Sequence, residues 1–534
     1  MKNINTTLYD FARLRDSEAN CVYVDKTAQL YEICKPSADT IYYLPRPRRF
    51  GKSLMISTLK YLFLGRRDLF KGLAIDSMDW NWKKEVYPVL HLDMAQVAAP
   101  SATMLEQKLQ KLMELTCAEF GAPFDPAVPA SANFMVLLKK LPSVAPKTAN
   151  GRYVVVIDEY DAPISGLLDT EEGRRELPRV RKTLHDFYVQ AKSECGNMRF
   201  LMVTGVSKFA KTSIFSAFNN PCDLTLDARA ADLLGYTHEE METCFHEHIQ
   251  VFADKEGVSY DALFAKLLDW YDSYQFCPDR LVRVVNPVSF GRALANKRFA
   301  NYWEATAGST LIFDVLQSGN KMPVDFAAEF DLKRLDAADA LTAPAVALLY
   351  QGGYLTIDHP AEDDGRVVLK IPNREVFDSL YDGYIAQLLG RDFEIDDFEG
   401  AASRTAKALI SEGVGEKFMT FLRAGFSKLP HDWVARDERE AKRAFAAFMV
   451  FTGAKIYGEV QQAEGRPDAI LETVKGVYIF EFKFNRSART ALAQCRRNNY
   501  AAPYAADPRP VWYVALNYSK KSRTFTAPLC EPAV

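Results

Sequence analysis

A chain of 534 residues is too long for one hydrophobic core, so two or three domains are expected. Its 48% hydrophobic and 25% charged residues, at net charge −3, are those of an ordinary soluble protein, and no apolar run approaches the roughly 18 residues of a membrane span. Met1-Lys2-Asn3-Ile4-Asn5 opens no signal peptide, so a cytoplasmic chain without a membrane partner is expected.

In chain order, Tyr23-Val24-Asp25-Lys26-Thr27 leads into a helix over 28–33, with Asp25 placed to cap it. Tyr42-Tyr43-Leu44 reads as a strand, followed by the loop Pro45-Arg46-Pro47-Arg48-Arg49-Phe50-Gly51-Lys52-Ser53 and an amphipathic helix over 54–62. A loop between strand and helix aims backbone N–H groups and the positive helix end at one point, where a polyphosphate fits. Lys52 would meet the β and γ phosphates of ATP, and the Ser53 hydroxyl would ligate Mg²⁺. The first glycine of G-x-x-x-x-G-K-[ST] falls on Arg46, which implies a differently shaped loop.

Tyr87–Asp93 reads as the next strand, and 104–120 as a helix. After a Pro/Ala-rich connector (121–131) and a short helix comes Arg152-Tyr153-Val154-Val155-Val156-Ile157-Asp158-Glu159-Tyr160-Asp161. An apolar run without alternation marks a strand buried on both faces, as in a parallel sheet. It ends in two carboxylates: Asp158 would hold the Mg²⁺ shell, and Glu159 would orient or deprotonate the attacking water. A third buried strand, 200–203, ends at Thr204-Gly205-Val206-Ser207-Lys208, which makes Thr204 and Ser207 candidate γ-phosphate sensors. Arg179, Arg181 and Arg199 are undistinguished candidates for an arginine acting in trans. Residues 1–226 therefore read as an α/β domain with a P-loop NTPase parallel sheet, its ligand at the carboxyl ends of the strands.

From about 227 the pattern becomes helical. Thr237-His238-Glu239-Glu240 is a capping box, and Asn286-Pro287 starts another helix with a cap and an N1 proline. Leu348–Ile357 and Val367–Ile371 look like a hairpin, with Asn373 capping the helix after it. Residues 227–390 are expected to form a helical lid or winged-helix-like domain, and the acidic stretch 391–400 a linker. Nine scattered cysteines without a C-x-x-C pair read as reduced thiols, and His246-Glu247-His248 is not a metal site, because i and i+2 on a helix face apart.

Residues 391–534 form the third expected domain. From Gly400 to Val534 there are 21 Lys/Arg against 13 Asp/Glu, an excess of +8 beside −11 for the first 399 residues, so this part suits a polyanion. Strands are expected over 455–460, 468–472 and 477–484. On the last, Glu481 and Lys483 share one face while Phe480, Phe482 and Phe484 cover the other. Asp468 starts the neighbouring strand. Two carboxylates beside a lysine bind Mg²⁺ and activate water against a phosphodiester, and Glu459 could complete the acidic shell. Gln494 follows on a helix.

The motifs Tyr23–Thr27, Arg46–Ser53, Ile157–Asp161 and Thr204–Lys208, then Gly465-Arg466-Pro467-Asp468, Glu481-Phe482-Lys483 and Gln494, resemble the bacterial AAA-ATPase-like family, in which a PD-(D/E)XK nuclease-like domain follows the ATPase-like domain. The resemblance implies an α/β chain with a C-terminal restriction-endonuclease-like domain. Arg46, Arg49, Gly51, Lys52, Ser53, Asp158 and Thr204 would be at the nucleotide, with Glu159 catalytic. It also implies that Asp468, Glu481, Lys483 and Gln494 form the nuclease site, with Glu459, or alternatively Glu440, as the further acidic residue. Cys495 and Asn498 stand where an aliphatic and a basic residue would be expected.

The expected activity is an ATPase coupled to a Mg²⁺-dependent nuclease. Its expected partners are ATP, a nucleic acid (DNA first, RNA as the alternative) and a second copy of the chain. The rival expectation is a nucleotide-controlled switch whose nuclease-fold domain binds without cutting.

Overall fold

The computed structural model describes residues 1–36, 38–168, 170–206, 208, 221–303, 329–335, 344–361, 365–380, 404–405, 408, 413–426, 435–451, 455–458, 467–473, 476–505, 507–526 and 528–533. Ser207, Glu459, Gly465 and Arg466, all named above, lie outside the described residues. The chain divides into two compact units, Met1–Val315 with Phe326–Phe377, and Leu316–Asp325 with Asp378–Val534.

The first unit is organised by β1 (Ile41–Pro45), β2 (Val89–Asp93), β3 (Tyr153–Asp158), β4 (Met198–Gly205) and β5 (Cys222–Asp223). These pair in parallel in the order β2-β3-β4-β1-β5. Every residue of β1, β3 and β4 is buried, the two-sided burial that their apolar runs imply. Helix α1 (Lys52–Phe63) packs on β2, β3 and β4, while α2 (Ala102–Phe120), α3 (Ala130–Val144) and α4 (Glu171–Ser193) pack on one another.

The phosphate-type loop leaves β1 between its two sheet partners, β4 and β5. This puts its backbone beside the carboxyl ends of β3 and β4, where ligands of open parallel sheets bind.

Within the same unit, Thr237 makes the full capping box with Glu240 at the start of α5 (His238–Glu256). Asn286 caps α6 (Pro287–Asn296) with Pro287 at N1, and its Nδ2 donates to Arg48 O at 3.2 Å. The loop's far side is thus fastened by the helical segment.

Strands β6 (Thr356–Pro360) and β7 (Arg366–Lys370) form an antiparallel hairpin, and Asn373 accepts the Val376 amide. The stretch expected to open that hairpin as a strand is instead a helix, Ala345–Gly352. Gly353 stops it at φ +84°, and a Cβ there would lie 2.8 Å from Pro47 Cβ, so only glycine both ends the helix and lets the loop proline approach. Asp25 binds the Thr27 amide and hydroxyl but stands one position before the N-cap, because its other oxygen takes the Ala74 amide.

In the second unit, β8 (Lys455–Gly458), β9 (Ala469–Thr473), β10 (Gly476–Phe484) and β11 (Val511–Ser519) make a mixed sheet, antiparallel except for the β10–β11 pair. One face, with Phe480 and Phe482, packs on α7 (Glu416–Phe426) and α8 (Glu438–Phe451). The other, with Val477 and Ile479, packs on α9 (Ala488–Arg497). Phe445 sits 5.1 and 4.8 Å from the Phe480 and Phe482 rings, contacts worth about 0.5–1.5 kcal/mol each beyond burial.

All nine cysteines are free thiols. Among the described residues, no helix is long and apolar enough to cross a membrane.

Candidate functional site

The loop after β1 reaches α1 through two left-handed residues, Arg49 at φ +68° and Gly51 at φ +96°. A non-glycine residue there costs conformational energy, which the surrounding contacts must outweigh. Phe50 is locked between the Tyr274 and Phe276 rings at 4.8 and 5.2 Å, and the Gly235 amide donates to its carbonyl. Lys52, 4% exposed, begins α1, and its Nζ donates to Arg46 O and Pro47 O, both at 3.1 Å. A lysine on neutral carbonyls holds its loop closed and can turn to a stronger acceptor such as a phosphate oxygen.

Asp158 closes β3 and accepts the following Glu159 amide at 2.9 Å. Burial pushes its carboxyl up, while the Ser53 hydroxyl and the Lys52 charge favour the ionised form. Burial also raises Glu159, opposed by Lys52 and reinforced by Asp161 and Asp158. Lys52, Ser53, Asp158 and Glu159 therefore form one electrostatic group. Glu159 sits at φ +50°, a strained conformation of the kind held at functional sites. Behind it, Tyr160 hydrogen-bonds Tyr43 hydroxyl to hydroxyl at 2.7 Å, and Asp161 accepts the Val206 amide.

In the C-terminal unit, Ala469 pairs with Phe480, so Asp468 stands opposite Glu481. Asp468 Oδ2 accepts the Phe482 amide at 2.7 Å. Lys483 Nζ lies 3.0 Å from Glu481 Oε1 and 2.9 Å from Phe482 O. Glu481 is 1% exposed, and its Oε2 has no hydrogen-bond partner among the described residues. Burial first, then the Asp468 charge, push its carboxyl up to about 7 against the opposing lysines. A buried oxygen with no protein donor beside a second carboxylate is the donor chemistry of a hard divalent cation. Among the described residues no group of three or more His, Cys, Asp or Glu gathers for a metal, so such an ion would complete its shell with water, backbone or phosphate oxygen.

Residues 6–215 match the model of an AAA-ATPase-like family, described as a predicted AAA-ATPase, and residues 436–527 match a PD-(D/E)XK nuclease superfamily model. A protein of Azotobacter chroococcum mcd 1, described as an uncharacterized protein in the vnfD 5' region, is 30% identical over 539 residues, covering 98% of each chain. The chain belongs to the AAA-ATPase-like family with a C-terminal PD-(D/E)XK nuclease-superfamily domain. Such domains generally use nucleotide and divalent metal.

Set against this AAA-ATPase-like protein, several expected site residues have other work. Arg46, expected at the nucleotide, turns into the interior: its guanidinium donates to Pro45, Leu224, Thr225 and Ala230 carbonyls and stacks 4.3 Å over Phe276. It braces β1 against the turn after β5, because a buried five-donor fork needs carbonyls to satisfy it. Arg49 reaches Tyr302 O at 3.0 Å. Thr204, the expected sensor, is fully buried and donates across the sheet to Leu44 O at 2.8 Å. Of the undistinguished arginines, Arg199 is an internal partner of Glu85, and Arg179 pairs with Glu176 on its own helix.

In the nuclease-fold domain, Gln494 donates to the Tyr500 hydroxyl at 3.4 Å, and Glu440 is held by the Arg436 amide and guanidinium. Cys495, after Gln494, is buried, and burial with the Glu481 and Asp468 charges pushes its thiol up to about 12. The sequence reading missed Lys442 of α8, whose Nζ lies 2.5 Å from Asp468 Oδ1. In sequence it looks like an ordinary helical ion pair with Glu438, four residues earlier.

Proposed function

We propose that the N-terminal domain binds and hydrolyses ATP and that the C-terminal domain is a Mg²⁺-dependent nuclease acting on DNA. The observation that carries the nuclease reading is the buried Glu481 Oε2, without a hydrogen-bond partner among the described residues, on a residue opposite Asp468 across paired strands with Lys483 beside it. Asp468 and Glu481 would hold Mg²⁺, which supplies a water of lowered pKa and neutralises charge on the scissile phosphate. Lys483, fixed by the Phe482 carbonyl, would orient the attacking water. In the ATPase domain, Lys52 would leave the Arg46 and Pro47 carbonyls for the phosphates. Ser53 and Asp158 would share the second Mg²⁺, and Glu159 would take the proton of the lytic water.

The test is purified protein with Mg²⁺ and supercoiled plasmid, beside Glu481→Ala and Lys483→Ala, with ATP binding measured in wild type and Lys52→Ala. Nicked or linear DNA from the wild type alone supports the reading. Equal cutting by all three, or none, removes the nuclease. ATP binding that depends on Lys52 without any cutting would favour a nucleotide-controlled, non-cleaving switch.

A further inference from the structure

The C-terminal site contains a cation that the reading above does not use. Lys442 Nζ lies 2.5 Å from Asp468 Oδ1 and 3.0 Å from Glu438 Oε1. It comes from α8, the helix packed on the Phe480 and Phe482 face, whereas Asp468 opens the strand paired with β10.

The two Asp468 oxygens are held differently. Oδ2 takes the Phe482 amide, a rigid part of β10, while Oδ1 takes an ammonium at the end of a four-carbon stem. The Asp468 side chain is 11% exposed and Glu438 36%, so the lysine bridges a buried carboxylate and a half-exposed one. Lys483 is confined to Glu481 Oε1 and the Phe482 carbonyl on its own strand, and no comparable second ion pair is seen for it among the described residues.

We propose that Lys442 is a tethered counter-ion that competes with the divalent cation for Asp468 Oδ1 and swings onto Glu438 when the cation binds. The proposal rests on the reading of Asp468 and Glu481 as the cation's ligands. Lys442 Nζ already occupies Asp468 Oδ1 at 2.5 Å, and two cations crowded onto one oxygen repel each other, so an ion reaching Oδ1 competes with the ammonium. A flexible stem and a ready second acceptor make that displacement cheap. Lys442 is thus a positioning residue that sets how much divalent cation the site needs, and Glu438 is its resting place.

The test is calorimetric titration of the full chain with Mn²⁺ at pH 8, with free Mn²⁺ followed in parallel by its paramagnetic resonance signal. Lys442→Met, which removes the competitor, should tighten binding about tenfold. Glu438→Gln, which removes the charge of the second acceptor and is exposed enough to leave folding intact, should weaken it about threefold. Opposite signs from two partners of one ion pair are not expected of a purely structural bridge. Lys442→Met binding equal to or weaker than wild type overturns the proposal, as does Glu438→Gln binding more tightly. If Asp468→Asn leaves Mn²⁺ binding intact, the ligand reading itself fails and this inference with it. Loss in Asp468→Asn with no change in Lys442→Met rejects the inference alone.

Discussion

In the ATPase-like domain, the groups that would meet a ligand rest on the loop's own neutral backbone: Lys52 on two carbonyls, Asp158 on the next amide. That site is bought with unusual backbone, since Arg49, Gly51 and Glu159 all have positive φ. In the nuclease-fold domain, Glu481 and Lys483 lie on regular β-strand, the acidic groups meet lysines, and one carboxylate oxygen has no partner among the described residues. On the proposed function, the contrast separates two ways of building a phosphate site. One aims backbone dipoles through a strained loop, and the other concentrates charge on an unstrained sheet. Altering charge should hurt the second most, and altering shape should hurt the first most.

The sharpest break of that contrast is at Glu481. Glu481→Gln keeps the shape and removes the charge, and is expected to lower plasmid cutting about 1,000-fold while leaving ATP binding unchanged. Its pH signature has a definite sign. The folded carboxyl is raised toward 7, so without metal the folded state holds a proton that the unfolded chain has lost. Stability then falls as pH rises from about 4.5 to about 7 and levels off above, a slope that Glu481→Gln should flatten in urea titrations. A slope of unchanged steepness in the variant would mean that Glu481 contributes nothing to it.

Shape is probed at Gly205, the last residue of β4. A Cβ there would lie 2.3 Å from Asp161 Oδ1 and 2.4 Å from the Tyr160 ring, the elements that hold the strained Glu159. Gly205→Ala is expected to destabilise the protein by about 3 kcal/mol in denaturant unfolding and to weaken nucleotide binding. An unchanged midpoint would mean that this end of the sheet yields easily.

Lys52→Ala should weaken ATP binding about 100-fold and leave plasmid cutting in the absence of ATP unchanged, as measured by nucleotide titration. A smaller loss would show that backbone amides do most of the holding, which would sharpen the comparison.

The smallest effect concerns the junction behind Arg49, which holds Tyr302 O while Glu375 accepts the Tyr302 and Trp303 amides at 2.6 Å each. Burial pushes Glu375 up to about 7, so its ionisation also costs stability as pH rises from about 4.5 to about 7. Glu375→Gln should remove that part of the dependence, read as a flatter melting temperature against pH. An unaltered profile would assign the slope elsewhere.

Much of the architecture was legible because its signals are local. Val154–Ile157, β-branched throughout, reads as a doubly buried strand, Thr237 and Glu240 satisfied each other as a capping box, and the alternation of 480–484 put Glu481 and Lys483 together. The apolar stretch 348–352 was not legible, since a short buried helix and a strand share that pattern until Gly353 decides.

By itself, the sequence determined on which elements the candidate residues stand: a loop ending Gly51-Lys52-Ser53, a strand ending Asp158-Glu159, and an Asp468 strand beside Glu481-Phe482-Lys483. Only the tertiary structure decided what those side chains touch. It turned Arg46 onto four carbonyls, sealed Thr204 inside the sheet, and brought Lys442 to Asp468 across 26 positions. The reason is that hydrogen-bond partners of buried groups are chosen by whatever the fold leaves within about 3 Å, a distance that has no fixed counterpart along the chain.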